Sequence, residues 1–530
     1  MLFNSFAFLL FFPVVCAVYF ALPTLRLRNL FLLVASYYFY MSWEPTYALL
    51  LLTSTVITYA AARVIDRQNT AEGVPSLTGD LQVGGDLQVG GDLQSPQAGG
   101  DLQSPQAGGD LQSPQVGGDL QSPSPFPRRK AILVSAIVVN LLILFFFKYF
   151  NFAAENVVAL MSWLGVRMHV PELKVLLPVG ISFYIFQALG YLIDVYRGDT
   201  RAERDFPTYA LFVSFFPQLV AGPIERSTHL LPQFHKQHTF DADKAISGLN
   251  LMLWGFFLKL VLADRCAIYV DTIYNNMAHH NGASILLASC LYCFQVYGDF
   301  AGYSYIAIGS ARVMGFSLMD NFRHPYFYST SVQDFWKRNH ISLTTWFMDY
   351  LYYPMVGSST SMAWWCFSIF FTFFVSGFWH GAAWTYVVSF SIFGLYLVGC
   401  MLKDKPQRRF EKRHGLKKKT WWLVVNRVAT YFLVMYALTF FRATTIADGW
   451  TATVRMFTDL FHVPFLEGVT HLAYVAFALL VVFAVEYCSE NKKFPSTVNV
   501  KWYSASSIAL LTAIITLGVF TGGQFIYFQF

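Results

Sequence analysis

The chain has 530 residues, of which 55% are hydrophobic and 13% charged, and its formal net charge is +6. Globular proteins carry about 25% charged residues, so this composition excludes an ordinary soluble domain and predicts a polytopic membrane protein. The modest positive charge requires no nucleic-acid partner, because basic residues in loops serve to orient a protein in the bilayer. Seven cysteines, mostly in apolar runs, argue against a disulfide framework.

The N-terminal part of the chain, residues 1–67, contains the first predicted membrane helices. Apolar runs of helical length occur at 5–23, 29–43 and 45–63, and a fourth follows at 131–149. Arg26 and Arg28 follow the first run, and Arg128, Arg129 and Lys130 precede the fourth. The positive-inside rule places both basic loops in the cytoplasm and therefore predicts an extracytoplasmic N-terminus.

A hydrophilic insert at 68–127 separates the third and fourth runs. It repeats GDLQVG and GDLQSPQAG units. Because its Gly, Pro, Ser and Gln residues cannot bury a core, we predict a disordered cytoplasmic linker. The nine-residue period of the longer unit is also that of calcium-binding β-helices. That pattern needs GGxGxDxUx, however, and here Asp-Leu-Gln directly follows the glycine pair.

Two apolar segments after the insert are interrupted by helix-breaking residues. The first, at 176–199, contains Pro178, and the second, at 209–234, contains Pro217 and Pro223. Non-helical backbone at membrane depth occurs only where protein shelters it or where it lines a cavity. The second segment therefore predicts a re-entrant element beside a cavity.

The C-terminal half contains further predicted spans and one strongly basic segment. The spans lie at 245–270, 283–314, 362–379, 382–402, 421–441, 470–487 and 503–520. Residues 403–419 include nine Lys and Arg, which is typical of a cytoplasmic face and also suits anionic lipid headgroups. Counting spans from this loop places the aromatic peptide at 522–530 outside the cytoplasm.

Two histidines in otherwise apolar sequence are the strongest candidates for chemistry. His340 and His380 lie in the stretch 334–384. Ionisable groups at membrane depth persist mainly where they face a cavity or a partner, although a histidine there can also be a hydrogen-bonded packing residue. A neutral imidazole, with an ordinary pKa of about 6.5, can accept a hydroxyl proton and return it to a leaving group.

Other polar and aromatic residues are candidates for lining a pocket or tunnel. Five are predicted: Asp299, Trp336, Asn339, Ser376 and Trp379. Two explanations of Asp299 stay open, namely that it lines a polar cavity or that it caps a helix. The chain has no HExxH, GxSxG or Walker motif, so it offers no support for a metallohydrolase, a serine hydrolase or a P-loop enzyme, and we predict no metal site.

Five motifs in order closely resemble the membrane-bound O-acyltransferase superfamily, and in particular its bacterial branch for alginate O-acetylation and teichoic acid D-alanylation. They are LPVGISFYIFQALGYLIDVYRGD, FFPQLVAGPIER, QVYGDFAGYSYIAIGSARVMGF, FRHPYFYSTSVQDFWKRNHISLTTWFMDYLYYP and FVSGFWHGAAWTYVVS. The resemblance covers essentially the whole chain except 68–127. It implies a ring of tilted transmembrane and re-entrant helices around a central tunnel, with the catalytic membrane core at 128–521.

The resemblance also implies roles for residues. The WHG histidine is His380, expected as the catalytic base, and His340 is expected to assist it. The donor would be a cytoplasmic acyl thioester, acetyl-CoA or an acyl carrier, with no bound cofactor. The acceptor would be an exported polysaccharide, reached through an SGNH-type extracytoplasmic partner. The protein would lie in the bacterial cytoplasmic membrane.

The C-terminal FIYFQF resembles an aromatic peptide of the D-alanylation systems, which implies that Tyr527 receives the acyl group as a relay. Interfacial anchoring by aromatic residues is the alternative explanation for this peptide. Two other functions stay open for the chain, namely D-alanyl transfer to teichoic acid and a transporter or flippase without covalent chemistry. Inverted repeats would favour a transporter, and the sequence shows no matching halves.

Overall fold

The computed structural model describes residues 1–71, 128–173, 176–324, 326–416, 419–466, 469–490, 500–520 and 525–526. The described residues form helices joined by loops and include no strand, so the prediction of an all-α polytopic membrane protein is confirmed. By length and composition, eight helices in the described residues are able to cross a membrane. Nearly all of the GDLQ insert and Tyr527 lie outside the described residues.

The N-terminal helices are α1 (Phe6–Ala21), α2 (Leu25–Met41), α3 (Ala48–Ala71), α4 (Arg128–Leu144) and α5 (Phe150–Trp163). A π-helical turn, Phe145–Tyr149, joins α4 to α5. Helix α3 continues into the first residues of the insert predicted at 68–127. The extension is held because the amide of Asn69 donates to Val195 O at 2.8 Å and accepts from Arg129 at 3.0 Å.

The interrupted segments fold as short helices packed inside the protein. They are α6 (Ile181–Arg197), α7 (Phe206–Ser214), α8 (Phe216–Leu219) and α9 (Ser227–Leu230). Gly180 precedes α6 with φ 73°, and an added Cβ would lie 2.7 Å from Leu219 O, so this turn needs glycine. The predicted break at Pro217 is present, since α7 ends before it and α8 is a single turn. Protein surrounds this irregular backbone on all sides.

The centre of the fold is the pair α10 (Ala242–Phe257) and α12 (Gly282–Val313), with α11 (Asp264–Tyr274) following a π-helical turn at Leu258–Ala263. Two glycine pairs bring the helix backbones together. A Cβ on Gly255 would lie 2.5 Å from Gly302 O, and one on Gly248 would lie 2.7 Å from Gly309 O. Such small residues allow close helix packing in membranes, where apolar burial contributes little to association.

Gly255→Ala should therefore destabilise the protein by about 1–3 kcal/mol, the usual effect of overpacking a tight contact. The matched control is Gly399→Ala, because a Cβ at Gly399 meets no atom within 4 Å. The measurement is the thermal unfolding midpoint in detergent. Equal midpoints for the two variants would show that the α10–α12 contact does not need glycine.

The remaining helices carry the two histidines and the C-terminal spans. They are α13 (Val332–Trp336), α14 (Ile341–Phe347), α15 (Tyr353–Val356), α16 (Met362–His380), α17 (Trp384–His414), α18 (Thr420–Arg442), α19 (Ile446–Thr458), α20 (Val469–Glu490) and α21 (Val500–Leu517). Helices α16 and α17 form an antiparallel hairpin. Gly377 allows its close approach, because an added Cβ would lie 2.8 Å from Val387 Cα.

Candidate active site

His380 is the last residue of α16 and is buried, with 3% of its surface exposed. Its ring stacks on Phe390 of α17 at a centroid distance of 4.1 Å. Its Nδ1 lies 2.7 Å from the carbonyl oxygen of Ser376. A carbonyl can only accept, so Nδ1 carries the proton and Nε2 carries the lone pair. The last turn of α16 thus holds His380 in the tautomer whose Nε2 is able to accept a proton.

His340 reaches the same tautomer through a different contact. Its Nδ1 lies 3.1 Å from Asn321 Oδ1, which also accepts from Ser342 Oγ at 2.9 Å. Because this amide oxygen is an acceptor, His340 Nδ1 donates and Nε2 again carries the lone pair. Asn321 Nδ2 donates to Ser304 of α12 at 3.1 Å, which ties the arrangement to the centre of the fold.

The backbone of His340 is strained. Its φ of 46° and ψ of 52° are left-handed, and it is the one non-glycine residue with positive φ in the described chain. Such conformations persist only where the surroundings enforce them, and they cluster at functional sites. Here the enforcing contact is again Asn321, whose carbonyl accepts the Ile341 N–H at 2.9 Å.

The two histidines line one largely aromatic cavity. Their ring centroids lie 6.4 Å apart and their planes cross at 86°. Trp336 and Asn339, both predicted as lining residues, are part of its wall, and the Asn339 side chain accepts from Tyr326 Oη at 3.0 Å. The cavity thus brings both histidines to one buried and mostly aromatic space.

A second, smaller cavity lies on another side of His380. It is lined by Lys148, by the turn that begins α6 and by Trp379. Trp379 packs edge-on against Phe183 at 5.2 Å and against His340 at 5.9 Å. Both cavities are bordered by His380, which therefore lies between them.

Asp299 does not line either of these two cavities. It lies in the middle of α12, which rules out a cap, and its Oδ1 is 2.5 Å from Lys259 Nζ. Lys259 also contacts Asp264 at 2.8 Å, which completes a buried group of three charges. The other Asp299 oxygen accepts the backbone N–H of Ile526 at 2.8 Å. Residues 525–526 therefore lie in the interior of the helical core.

Sequence reasoning missed three polar residues of this region: Lys148, Lys259 and Asn321. The sequence did mark the two lysines, since each is a lone charge in an apolar run, FFFKYF and GFFLKLVL.

Ser376, a predicted lining residue, contributes its carbonyl to His380. Among the described residues, His, Cys, Asp and Glu do not group in threes that could hold a metal ion.

A buried histidine pair beside a cavity, within a bundle of membrane helices, is a candidate active site of an integral-membrane enzyme. The chain belongs to the membrane-bound O-acyltransferase family, whose model matches residues 200–441, and it is an O-acyltransferase.

Among its relatives is the probable alginate O-acetylase AlgI of Azotobacter vinelandii, which is 33% identical over 460 residues, covering 86% of this chain and 78% of the relative. The peptidoglycan O-acetyltransferase of Helicobacter pylori is 28% identical over 454 residues, covering 77% and 84%. The teichoic acid D-alanyltransferase of Bacillus subtilis is 27% identical over 316 residues, covering 58% and 76%.

Proposed function

We propose that this protein passes an acetyl group from a cytoplasmic thioester donor, acetyl-CoA or an acyl carrier, across the bacterial cytoplasmic membrane for O-acetylation of an exported polysaccharide. His380 is the catalytic base and His340 assists it. The termini lie outside the cytoplasm, where an SGNH-type partner completes the transfer. The observation that carries the proposal is the position of His380 between two cavities.

The chemistry needs only the groups of this site. His380 Nε2 accepts the proton of an attacking hydroxyl while the hydroxyl oxygen bonds to the thioester carbonyl carbon. The carbon–sulfur bond then breaks, and the imidazolium returns its proton to the departing thiolate, which leaves an ester and a thiol. His340, held by Asn321, offers a second basic nitrogen for orienting the hydroxyl.

We further propose that the first acceptor is Tyr527, which relays the acetyl group to the partner. The preceding residue supports this, because Ile526 N–H is bound by Asp299 inside the core. Phe525 lies 6.0 Å from Phe300, and the Phe300 ring lies 4.4 Å from His340, both as centroid distances. The described end of this segment is thus one aromatic ring away from the histidine cavity.

Deleting the gene and assaying alkali-labile ester groups on surface polymers tests the proposed function. Loss of ester-linked acetate from a polysaccharide, restored by the wild-type gene, is the expected result. Loss of ester-linked D-alanine from teichoic acid would replace acetyl transfer with the alternative that the Bacillus subtilis relative favours. Normal esters with impaired polymer export would instead indicate a transporter.

Tyr527→Phe should abolish ester formation while leaving the amount of membrane-inserted protein unchanged, since it removes one hydroxyl. Mass spectrometry of the wild-type C-terminal peptide should show an acetyl group on Tyr527. The matched control is Tyr38→Phe, because Tyr38 is 56% exposed and lies far from both histidines in the sequence. An unmodified peptide together with full activity of Tyr527→Phe would refute the relay and leave direct transfer to an outer acceptor.

A further inference from the structure

Two adjacent side chains of the π-helical turn Phe145–Tyr149 bind the end of the helix that carries His380. Lys148 Nζ donates to Trp379 O at 2.7 Å and to His380 O at 3.4 Å. Tyr149 Oη donates to Phe378 O at 2.8 Å. Three consecutive carbonyls of the last turn of α16 therefore receive side-chain donors from one short segment.

These carbonyls have a specific need for donors. The last carbonyls of a helix have no partner within it, and inside a membrane protein water does not replace one. Gly381 N–H supplies one further bond, to Phe378 O at 3.1 Å. A cation at a helix C-terminus also interacts favourably with the helix dipole. Lys148 and Tyr149 thus complete the hydrogen bonding of the helical turn that contains His380.

The ordinary explanation for a lysine in a membrane helix is that it extends to the lipid headgroups. The geometry of Lys148 differs, because its ammonium group points into the smaller cavity, beside Ser182 Oγ at 3.4 Å and the backbone of His380. The π-helical turn that carries Lys148 supports a role at the site, since such turns are frequent at functional sites.

We propose that Lys148, assisted by Tyr149, is the positioning residue of this site. By holding the Trp379 and His380 carbonyls, it fixes the orientation of the imidazole toward the cavity shared with His340. Lys148 acts through His380 and takes no part in bond making. This role rests on the proposed function of His380 in acyl transfer.

To test this role, variants of the protein are expressed in a strain that lacks the chromosomal gene. Alkali-labile esters on the surface polymer are measured per amount of membrane-inserted protein, and unfolding midpoints are measured in detergent. Lys148→Met should lose about 10- to 100-fold in activity, because a displacement of about 1 Å at a reacting group has an effect of that order. Its unfolding midpoint should fall only modestly, because two buried carbonyls lose a donor, and the protein should still be folded in the assay.

The remaining variants follow the observed distances. Tyr149→Phe should lose about threefold, because a neutral hydrogen bond is about half as strong as a charge-assisted one. Lys148→Arg keeps the charge and the donors and should regain part of the lost activity. Lys412→Met, on an exposed lysine, is the matched control.

Full activity of Lys148→Met beside an inactive His380→Ala would overturn the positioning role and leave the proposed function intact. Loss of activity that tracks a fall in the unfolding midpoint, with no recovery in Lys148→Arg, would also overturn it, because the lysine would then serve stability alone. An active His380→Ala, or a wild-type gene that restores no ester, would refute the proposed function itself.

Discussion

His380→Ala is expected to remove ester formation almost completely, with a loss of about 10²- to 10⁴-fold, the usual contribution of a positioned acid or base. The protein should still insert and fold, because His380 borders existing cavities and the change leaves the α16–α17 contact at Gly377 in place. The assay is alkali-labile ester on the surface polymer per amount of inserted protein.

A matched control for this substitution is His462→Ala, since the side chain of His462 is 68% exposed. Its activity should equal that of the wild type. His380→Gln, which keeps a polar group of similar size, should be as inactive as the alanine variant because an amide cannot accept and return a proton at neutral pH. Normal ester formation in either His380 variant would contradict the assigned role of the histidine.

Lys259→Met is expected to be the most destabilising substitution of a polar residue in the core. It leaves the Asp264 and Asp299 side chains, which are 6% and 2% exposed, without their shared cation. Breaking a buried ion pair in this way costs about 3–5 kcal/mol, because an uncompensated charge stays buried. The measurement is the unfolding midpoint in detergent, with the yield of inserted protein recorded beside it.

Lys244→Met is the matched control, because Lys244 is 58% exposed and its contact with Asp241 is long, at 3.9 Å. An exposed pair of this kind contributes about 0–1 kcal/mol. Adding Asp264→Asn and Asp299→Asn to Lys259→Met should recover much of the lost stability, since the triple variant buries no net charge. Equal midpoints for Lys259→Met and Lys244→Met would show that the three buried charges do not stabilise the fold.

The helical architecture and the burial of two histidines beside a cavity could be predicted from the sequence for physical reasons. Membrane spans are long and apolar, and a histidine such as His380 stands out against them. The break at Pro217 was also predictable, because proline cannot continue a helix and lacks an N–H. The agreement of these features with the structure shows which properties are encoded locally.

The partners of these residues were not predictable. Lys148 binds backbone carbonyls, which every residue has and which therefore leave no sequence pattern. Asn321 contacts a histidine 19 residues away across an irregular loop, and Lys259 pairs with an aspartate 40 residues away. Both contacts depend on how helices pack. For Asp299 the sequence could not show the partner of its carboxylate, because the paired lysine comes from another helix.

The measurement that tests the central claim most directly uses right-side-out membrane vesicles loaded with radiolabelled acetyl-CoA. Vesicles with the wild-type protein should transfer label to polymer on their outer face as alkali-labile acetate, and vesicles with His380→Ala should transfer almost none. Equal labelling of the outer polymer by both would contradict acyl transfer at His380.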